Sequence, residues 1–143
     1  MKKLNLYIAF SFIFLILGCN KNTVPSNALY EVLYTNEYGG TAYEFYEIFT
    51  EEKEFSLLLN DSDLKKKIKP NDIRTANFII LNMGQKNSGG YSIGIKKMVN
   101  TKDALQVYID KRSPKPNEPV TMAITNPIAI VKINSKKKIQ IME

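Results

Sequence analysis

The sequence contains no histidine, and its single cysteine, Cys19, lies near the N-terminus. Without histidine, the chain cannot build the Ser–His–Asp or Cys–His systems in which an imidazole activates the nucleophile. Apart from Cys19, a zinc site would have only oxygen ligands, which zinc rarely accepts in proteins. The 14 acidic residues would still allow hydrolysis by a carboxylate pair, but most of them lie in charged runs such as Glu51, Glu52 and Glu54. We therefore predict a non-enzymatic protein with no catalytic residues, no metal and no cofactor.

The N-terminus has the pattern of a bacterial lipoprotein signal peptide. Two lysines give it a positive start, and residues 6–17 form an apolar run of 12 residues that is interrupted by one serine. This run suits the core of a signal peptide and is too short to span a bilayer. It ends in Ile16-Leu17-Gly18-Cys19, where a small residue directly precedes the cysteine. We predict that residues 1–18 are removed by cleavage between Gly18 and Cys19, and that Cys19 is lipidated.

Lipidation, for example with palmitate, would hold the mature chain at the membrane of the bacterial cell envelope. The anchor would lie in the outer membrane or in the outer leaflet of the cell membrane. Residues 19–27 are polar and show no apolar periodicity, so we interpret them as a tether. Residues 28–143 have the length of a single domain that can bury one modest core.

The mature chain is weakly basic and free of disulfides. Loss of residues 1–18 removes two lysines, so the formal net charge falls from +6 to +4. This charge does not indicate a nucleic-acid partner, and an exported chain meets lipid headgroups and cell-wall material first. With Cys19 lipidated as predicted, no thiol would remain for a disulfide. The core alone must hold the fold together.

The hydrophobic pattern of the mature chain predicts a mainly β domain. Segments with the alternating or continuous apolar pattern of strands are 29–35, 42–49, 78–83, 91–95, 105–109, 120–124, 128–133 and 139–141. A helix is predicted at 51–59, where three apolar residues share one face, and one or two further turns precede Pro70. Short connections favour antiparallel pairing. We therefore expect an antiparallel β-sandwich or a partly open barrel, with one or two short helices packed on it.

The most specific motif in the mature chain spans residues 78–95 and reads FIILNMGQKNSGGYSIGI. An apolar strand ends at Gly84, a short polar loop follows, and Gly89-Gly90-Tyr91 opens the next strand. Glycine has no Cβ, so Gly89 and Gly90 suit a tight turn between two strands. A phosphate-binding role would need a helix after the glycines, whereas the alternation that follows predicts a strand. We therefore interpret Gly89, Gly90 and Tyr91 as a structural turn.

A proline-rich loop and a later proline complete a pattern that is typical of one family. The loop contains Ser113-Pro114-Lys115-Pro116, and Pro127 precedes another apolar strand. Together with the motif at 78–95, these features make residues 76–133 resemble the C-terminal domain family of PrcB-type protease complex subunits. The chain departs from the family pattern at Asn117, where glycine is frequent, and at Ile128, where tyrosine is frequent. The resemblance implies a lipoprotein domain that helps to assemble or stabilise a bacterial surface protease.

We predict that the anchored domain binds a protein partner, either a protease or another envelope protein. The first candidate for the contact is the loop that begins Ser113, Pro114, Lys115, Pro116 and ends at residue 119. Three prolines stiffen it, so it would lose little entropy on docking. The structural alternative is that these prolines only protect an edge strand from unwanted pairing.

Two other functions fit the sequence. The domain could bind a glycan or another small envelope ligand through tyrosines that cluster early in the chain: Tyr30, Tyr34, Tyr38, Tyr43 and Tyr46. It could also inhibit a protease by presenting residues 112–119 as its loop. Several tyrosine rings along one groove would favour the ligand-binding function, whereas an apolar patch beside the proline loop would favour a protein interface.

Overall fold

Two β-sheets face each other across an apolar core in the computed structural model of this protein, which describes residues 29–143. The predicted signal peptide, the cleavage site at Gly18 and Cys19, and the tether at 19–27 lie outside the described residues. The described part of the chain has seven strands in two open sheets, which confirm the prediction of a mainly β fold and favour the sandwich over the barrel.

The first sheet has four antiparallel strands and the second has three strands. The strands of the first sheet are β1 (Tyr30–Asn36), β2 (Glu44–Phe49), β3 (Asn77–Met83) and β6 (Ile128–Ile133), in the order β1-β6-β3-β2. Those of the second sheet are β4 (Ser92–Asn100), β5 (Ala104–Arg112) and β7 (Lys138–Met142), in the order β4-β5-β7. The prediction of antiparallel pairing is wrong for one pair, because β5 and β7 run parallel. After β5 the chain crosses to the first sheet and forms β6. It then crosses back to the second sheet, where β7 lies beside β5 and runs in the same direction.

The central strand β3 is covered on both faces, as its nearly continuous apolar sequence predicts. Ile79 and Leu81 point into the core between the sheets, where they meet residues such as Val107 of β5. Phe78 points the other way, into a second apolar cluster that covers the outer face of the first sheet. A strand buried on both sides needs apolar residues at successive positions.

A helical layer provides that outer cover. The helix α1 (Glu52–Leu59) begins with acidic residues in its first turn, which suit the positive end of the helix dipole. Its buried residue Phe55 lies against Phe78, with 4.5 Å between the ring centroids. A short 3₁₀ helix (Pro70–Arg74) completes the layer and buries Ile73. Within residues 29–143, one α-helix and one 3₁₀ helix confirm the prediction of one or two short helices.

The segment 120–124, which was predicted as a strand, belongs to neither sheet. An isolated bridge between Lys86 and Thr125 is the nearest pairing. Val120, Met122 and Ile124 alternate as the residues of a strand do. A strand also needs a neighbouring strand with which to pair, and the local pattern does not show whether one is present. Here the segment lies where the chain crosses from the second sheet to the first. Within residues 29–143, no helix has the length and apolar character that a membrane span requires.

Candidate functional site

Two loops that cross between the sheets are joined to each other by hydrogen bonds. One loop connects β3 to β4 and the other connects β5 to β6. Lys86 and Thr125 exchange two backbone hydrogen bonds of 2.8 and 3.0 Å, and the Gly89 amide donates to the Thr121 carbonyl at 2.9 Å. The buried Thr125 hydroxyl also donates to the Ser88 carbonyl at 2.8 Å. The loops therefore form one surface, which we call the crossing-loop surface (residues 84–91 and 113–127).

Gly90 lets the two loops approach closely. Its φ is +85°, and a Cβ at this position would lie 2.9 Å from Val120 Cγ1 and 3.2 Å from Pro114 Cβ. Both the conformation and the lack of space therefore require glycine. The strands that flank this predicted turn, β3 and β4, belong to different sheets and do not pair with each other. Gly89-Gly90-Tyr91 instead carries the chain from one sheet to the other.

The proline loop closes on itself in a tight turn. The Glu118 amide donates to the Lys115 carbonyl at 3.0 Å, which places Pro116 and Asn117 at the two central positions. Asn117 has a φ of 65°. Proline followed by a residue with positive φ is the pattern of a type II turn, and asparagine is one of the few residues that tolerate that conformation.

The side chain of Glu118 braces this turn. One of its carboxylate oxygens lies 2.8 Å from the guanidinium of Arg112, and the other accepts the Lys115 amide at 2.8 Å. Ser113, Lys115 and Pro116 are exposed, whereas Pro114 is half-buried near Gly90. The loop is therefore held in shape by local bonds while most of it faces solvent.

An exposed apolar segment follows the proline loop directly. Met122 is 93% exposed and Ile124 is 59% exposed. The sequence does not mark either residue as a contact candidate, because their alternation predicts a strand. The flanking prolines, Pro119 and Pro127, were the signal in the sequence that the segment is unsuited to a sheet. An apolar patch beside the proline loop is the feature expected of a protein interface.

The early tyrosines do not line a common groove in the described part of the chain. Tyr30 and Tyr46 pack against the core between the sheets, and Tyr34 packs against the cluster under the helical layer. Tyr38 and Tyr43 are 57% and 83% exposed. A groove of about 400 Å³ does lie between β1 and β4, and its lining residues are Thr35, Asn36, Glu37, Tyr91, Ser92, Ile93, Pro127 and Ile128. Tyr91 is the one tyrosine in that lining.

A polar cluster joins the two sheets at one end of the core. Lys111 on β5 forms ion pairs with Glu44 on β2 and with Glu143, and the Tyr46 hydroxyl donates to Glu44 at 2.9 Å. The hydrogen bond from Lys111 holds the pKa of Glu44 below its usual value and raises the pKa of Lys111. Partial burial raises the pKa of Tyr46 to about 12, because it disfavours the charged phenolate. The cluster therefore keeps its ion pairs at neutral pH and ties the sheets together.

The fold and the joined loops define a two-sheet β domain that presents a braced, partly apolar surface at its crossing loops. A family model described as PrcB C-terminal matches residues 77–134, from the start of β3 to just after β6. The match confirms the predicted resemblance of this part of the chain to the PrcB C-terminal family. It covers a little under half of the chain and includes both crossing loops. No curated protein and no solved structure matches the chain significantly.

Proposed function

We propose that this protein is a non-enzymatic, lipid-anchored envelope protein whose β domain binds a secreted or surface protease and helps to assemble or stabilise the protease complex. The family match supports the association with a protease complex. The single observation that carries the binding surface is the exposure of Met122 and Ile124 beside the braced proline loop. The anchor rests on the sequence around Gly18 and Cys19.

The crossing-loop surface has the energetic features of a binding site. Full burial of an exposed methionine or isoleucine contributes about 1.5–3 kcal/mol in area-based accounting. Met122, which is 93% exposed, offers most of such a gain, and Ile124, which is 59% exposed, offers a smaller part of it. The bonds of Glu118 and the contact of Pro114 with Gly90 fix the neighbouring loop before any partner binds. A surface that is already ordered loses less entropy on association.

The proposed lipid anchor predicts that substitution of Cys19 abolishes lipidation. Cys19→Ser removes the thiol that accepts the lipid, so the variant should incorporate no labelled palmitate in the native host, whereas the wild type should be labelled. Ser26→Ala, a change within the tether, is the matched control and should keep the label. Labelling of the Cys19→Ser protein would show that this cysteine is not the lipidation site.

The partner is expected to be recoverable with the intact protein. The tagged full chain is extracted from its native membrane in mild detergent, and mass spectrometry identifies what co-purifies. We expect a protease, and we expect the Met122→Asp/Ile124→Asp double variant to lower its recovery at least about tenfold, because a charge in an apolar contact must be desolvated. Leu57→Asp is the control, since Leu57 is also apolar and is 68% exposed on α1.

Two results would contradict this proposal. If a protease is recovered equally well with the double variant, the contact lies elsewhere on the domain. If only lipid is recovered, the small-ligand function gains support. The groove beside Tyr91 is then the site to probe with glycan arrays, because its volume is in the range of ligand pockets.

A further inference from the structure

We propose that residues 121–125, which we call the bowed segment, enter the active-site cleft of a protease as a substrate would, with Met122 in an apolar primary pocket, and so restrain the protease. This inference rests on the proposed function in one respect, namely that the partner is a protease. It adds the chemistry of the contact: an apolar side chain and an unpaired backbone that occupy the cleft itself.

The bowed segment is fixed at both ends and protrudes between them. At one end the Thr121 carbonyl accepts the Gly89 amide, and at the other end Thr125 exchanges two backbone hydrogen bonds with Lys86. Between these bonds, the first loop runs from residue 86 to residue 89 and the second loop runs from residue 121 to residue 125. The longer side holds one extra residue, as in a β-bulge, so it must bow away from its neighbour. The exposure of Met122 shows that the bow is directed outward.

The backbone of the bowed segment is available for pairing with a partner. Within residues 29–143, the backbone groups of Met122, Ala123 and Ile124 make no intramolecular hydrogen bond. Bound peptides commonly gain affinity by pairing such groups with a strand of the partner, while pockets select the side chains. The segment therefore offers both parts of substrate recognition.

The side chain at the top of the bow indicates the class of protease. Serine proteases with a hydrophobic slot as their primary pocket accept apolar side chains, whereas those with an aspartate in the pocket select cations. Met122 is 93% exposed, uncharged and unbranched, so it fits the hydrophobic slot. The chemistry matches a protease of chymotrypsin-like or subtilisin-like preference.

The bowed segment is a better candidate for this role than the proline loop. The turn at Pro116 and Asn117 uses the Lys115 carbonyl and the Glu118 amide internally, so this part of the backbone is closed to a partner. An inhibitory contact therefore suits the neighbouring bowed segment better than residues 112–119. The proline loop supports the bow instead, because Pro114 and Val120 both lie against Gly90.

The test is a switch of specificity. The full chain in mild detergent is assayed for inhibition of chymotrypsin, subtilisin and trypsin. We expect the wild type to slow the first two enzymes. We expect Met122→Lys to weaken that inhibition by about 100-fold and to create inhibition of trypsin, because the new cation suits the acidic pocket. Leu57→Lys, an equally drastic change at an exposed apolar site on α1, should alter neither.

Three outcomes would overturn the inference. The wild type could inhibit neither chymotrypsin nor subtilisin, or Met122→Lys could leave the specificity unchanged. The segment could also be a simple substrate, in which case water rapidly cleaves the bond between Met122 and Ala123, leaving a new carboxylate and a new amine, with no lasting inhibition. If co-purification still recovers a protease, the proposed function stands without this inference. If it recovers none, the proposed function fails as well.

Discussion

Replacement of Phe78 by alanine is expected to lower the free energy of unfolding by about 3–5 kcal/mol, a range typical of large aromatic truncations in a core. Phe78 is fully buried on the central strand β3, and its ring lies 4.5 Å from that of Phe55 on α1. Its removal would leave a cavity between the first sheet and the helical layer. The neighbours cannot collapse into that space, because β2 and β6 hold β3 on both sides.

Urea denaturation followed by circular dichroism would measure this effect. Phe45→Ala is the matched control, because Phe45 lies on the same outer face of the sheet but is 37% exposed. We expect the control to lose clearly less stability, about 1 kcal/mol. Equal losses for Phe78 and Phe45 would show that the helical layer does not pack on the sheet as described.

Replacement of Asp72 by alanine is expected to cost about 2–4 kcal/mol, because it breaks a largely buried ion pair and leaves the other charge without a partner. Asp72 Oδ2 lies 2.9 Å from the Lys132 ammonium, and the two side chains are 18% and 17% exposed. The same oxygen accepts the Lys69 amide at 3.0 Å, at the start of the 3₁₀ helix. Asp72 therefore fastens the helical layer to strand β6.

Two further variants separate the ion pair from other effects. Glu52→Ala removes the ion pair between Glu52 and Arg74. It should cost less than about 0.5 kcal/mol, because the side chains of Glu52 and Arg74 are 72% and 70% exposed. Lys132→Met in the Asp72→Ala background removes the unpaired cation and should recover part of the loss. Failure of this second change to restore any stability would mean that the loss comes from the 3₁₀ helix alone.

The same ion pair predicts how stability responds to acid. Partial burial alone would raise the pKa of Asp72, but the hydrogen bonds from Lys132 and the Lys69 amide outweigh it and hold the pKa below the usual 3.8. A carboxyl whose pKa is lower in the folded state stabilises the fold above its unfolded pKa. We therefore expect the difference between wild type and Asp72→Ala to persist above about pH 3.8 and to shrink as the pH falls further.

Local patterns were sufficient to predict most of the elements but few of their neighbours. The nearly continuous apolar run of β3 predicts burial on both faces, and the spacing of Phe55 and Leu58 predicts a helix with one buried face. Each of these signals lies within a few residues of the sequence. The parallel pairing of β7 depends on β6 crossing to the other sheet, which no local pattern encodes. The order of strands is decided by contacts between distant parts of the chain.

The sequence likewise predicts some features of the candidate site but not others. The proline loop and Gly90 could be found from the sequence. Proline restricts the backbone conformation wherever it occurs, and glycine permits conformations that other residues rarely adopt. The exposure of Met122 could not be found, because it depends on hydrogen bonds between Thr121 and Gly89 and between Thr125 and Lys86. Those partners are more than 30 residues apart along the chain.

The turn at Pro116 and Asn117 changes how related sequences should be aligned and searched. Asparagine in place of glycine looks like a mismatch when letters are compared, yet both residues accept a φ near the 65° observed here. At such a position the residue type can vary while the backbone conformation stays the same. A search for this loop should therefore score backbone conformation rather than residue identity, and should admit glycine or asparagine equally after the proline.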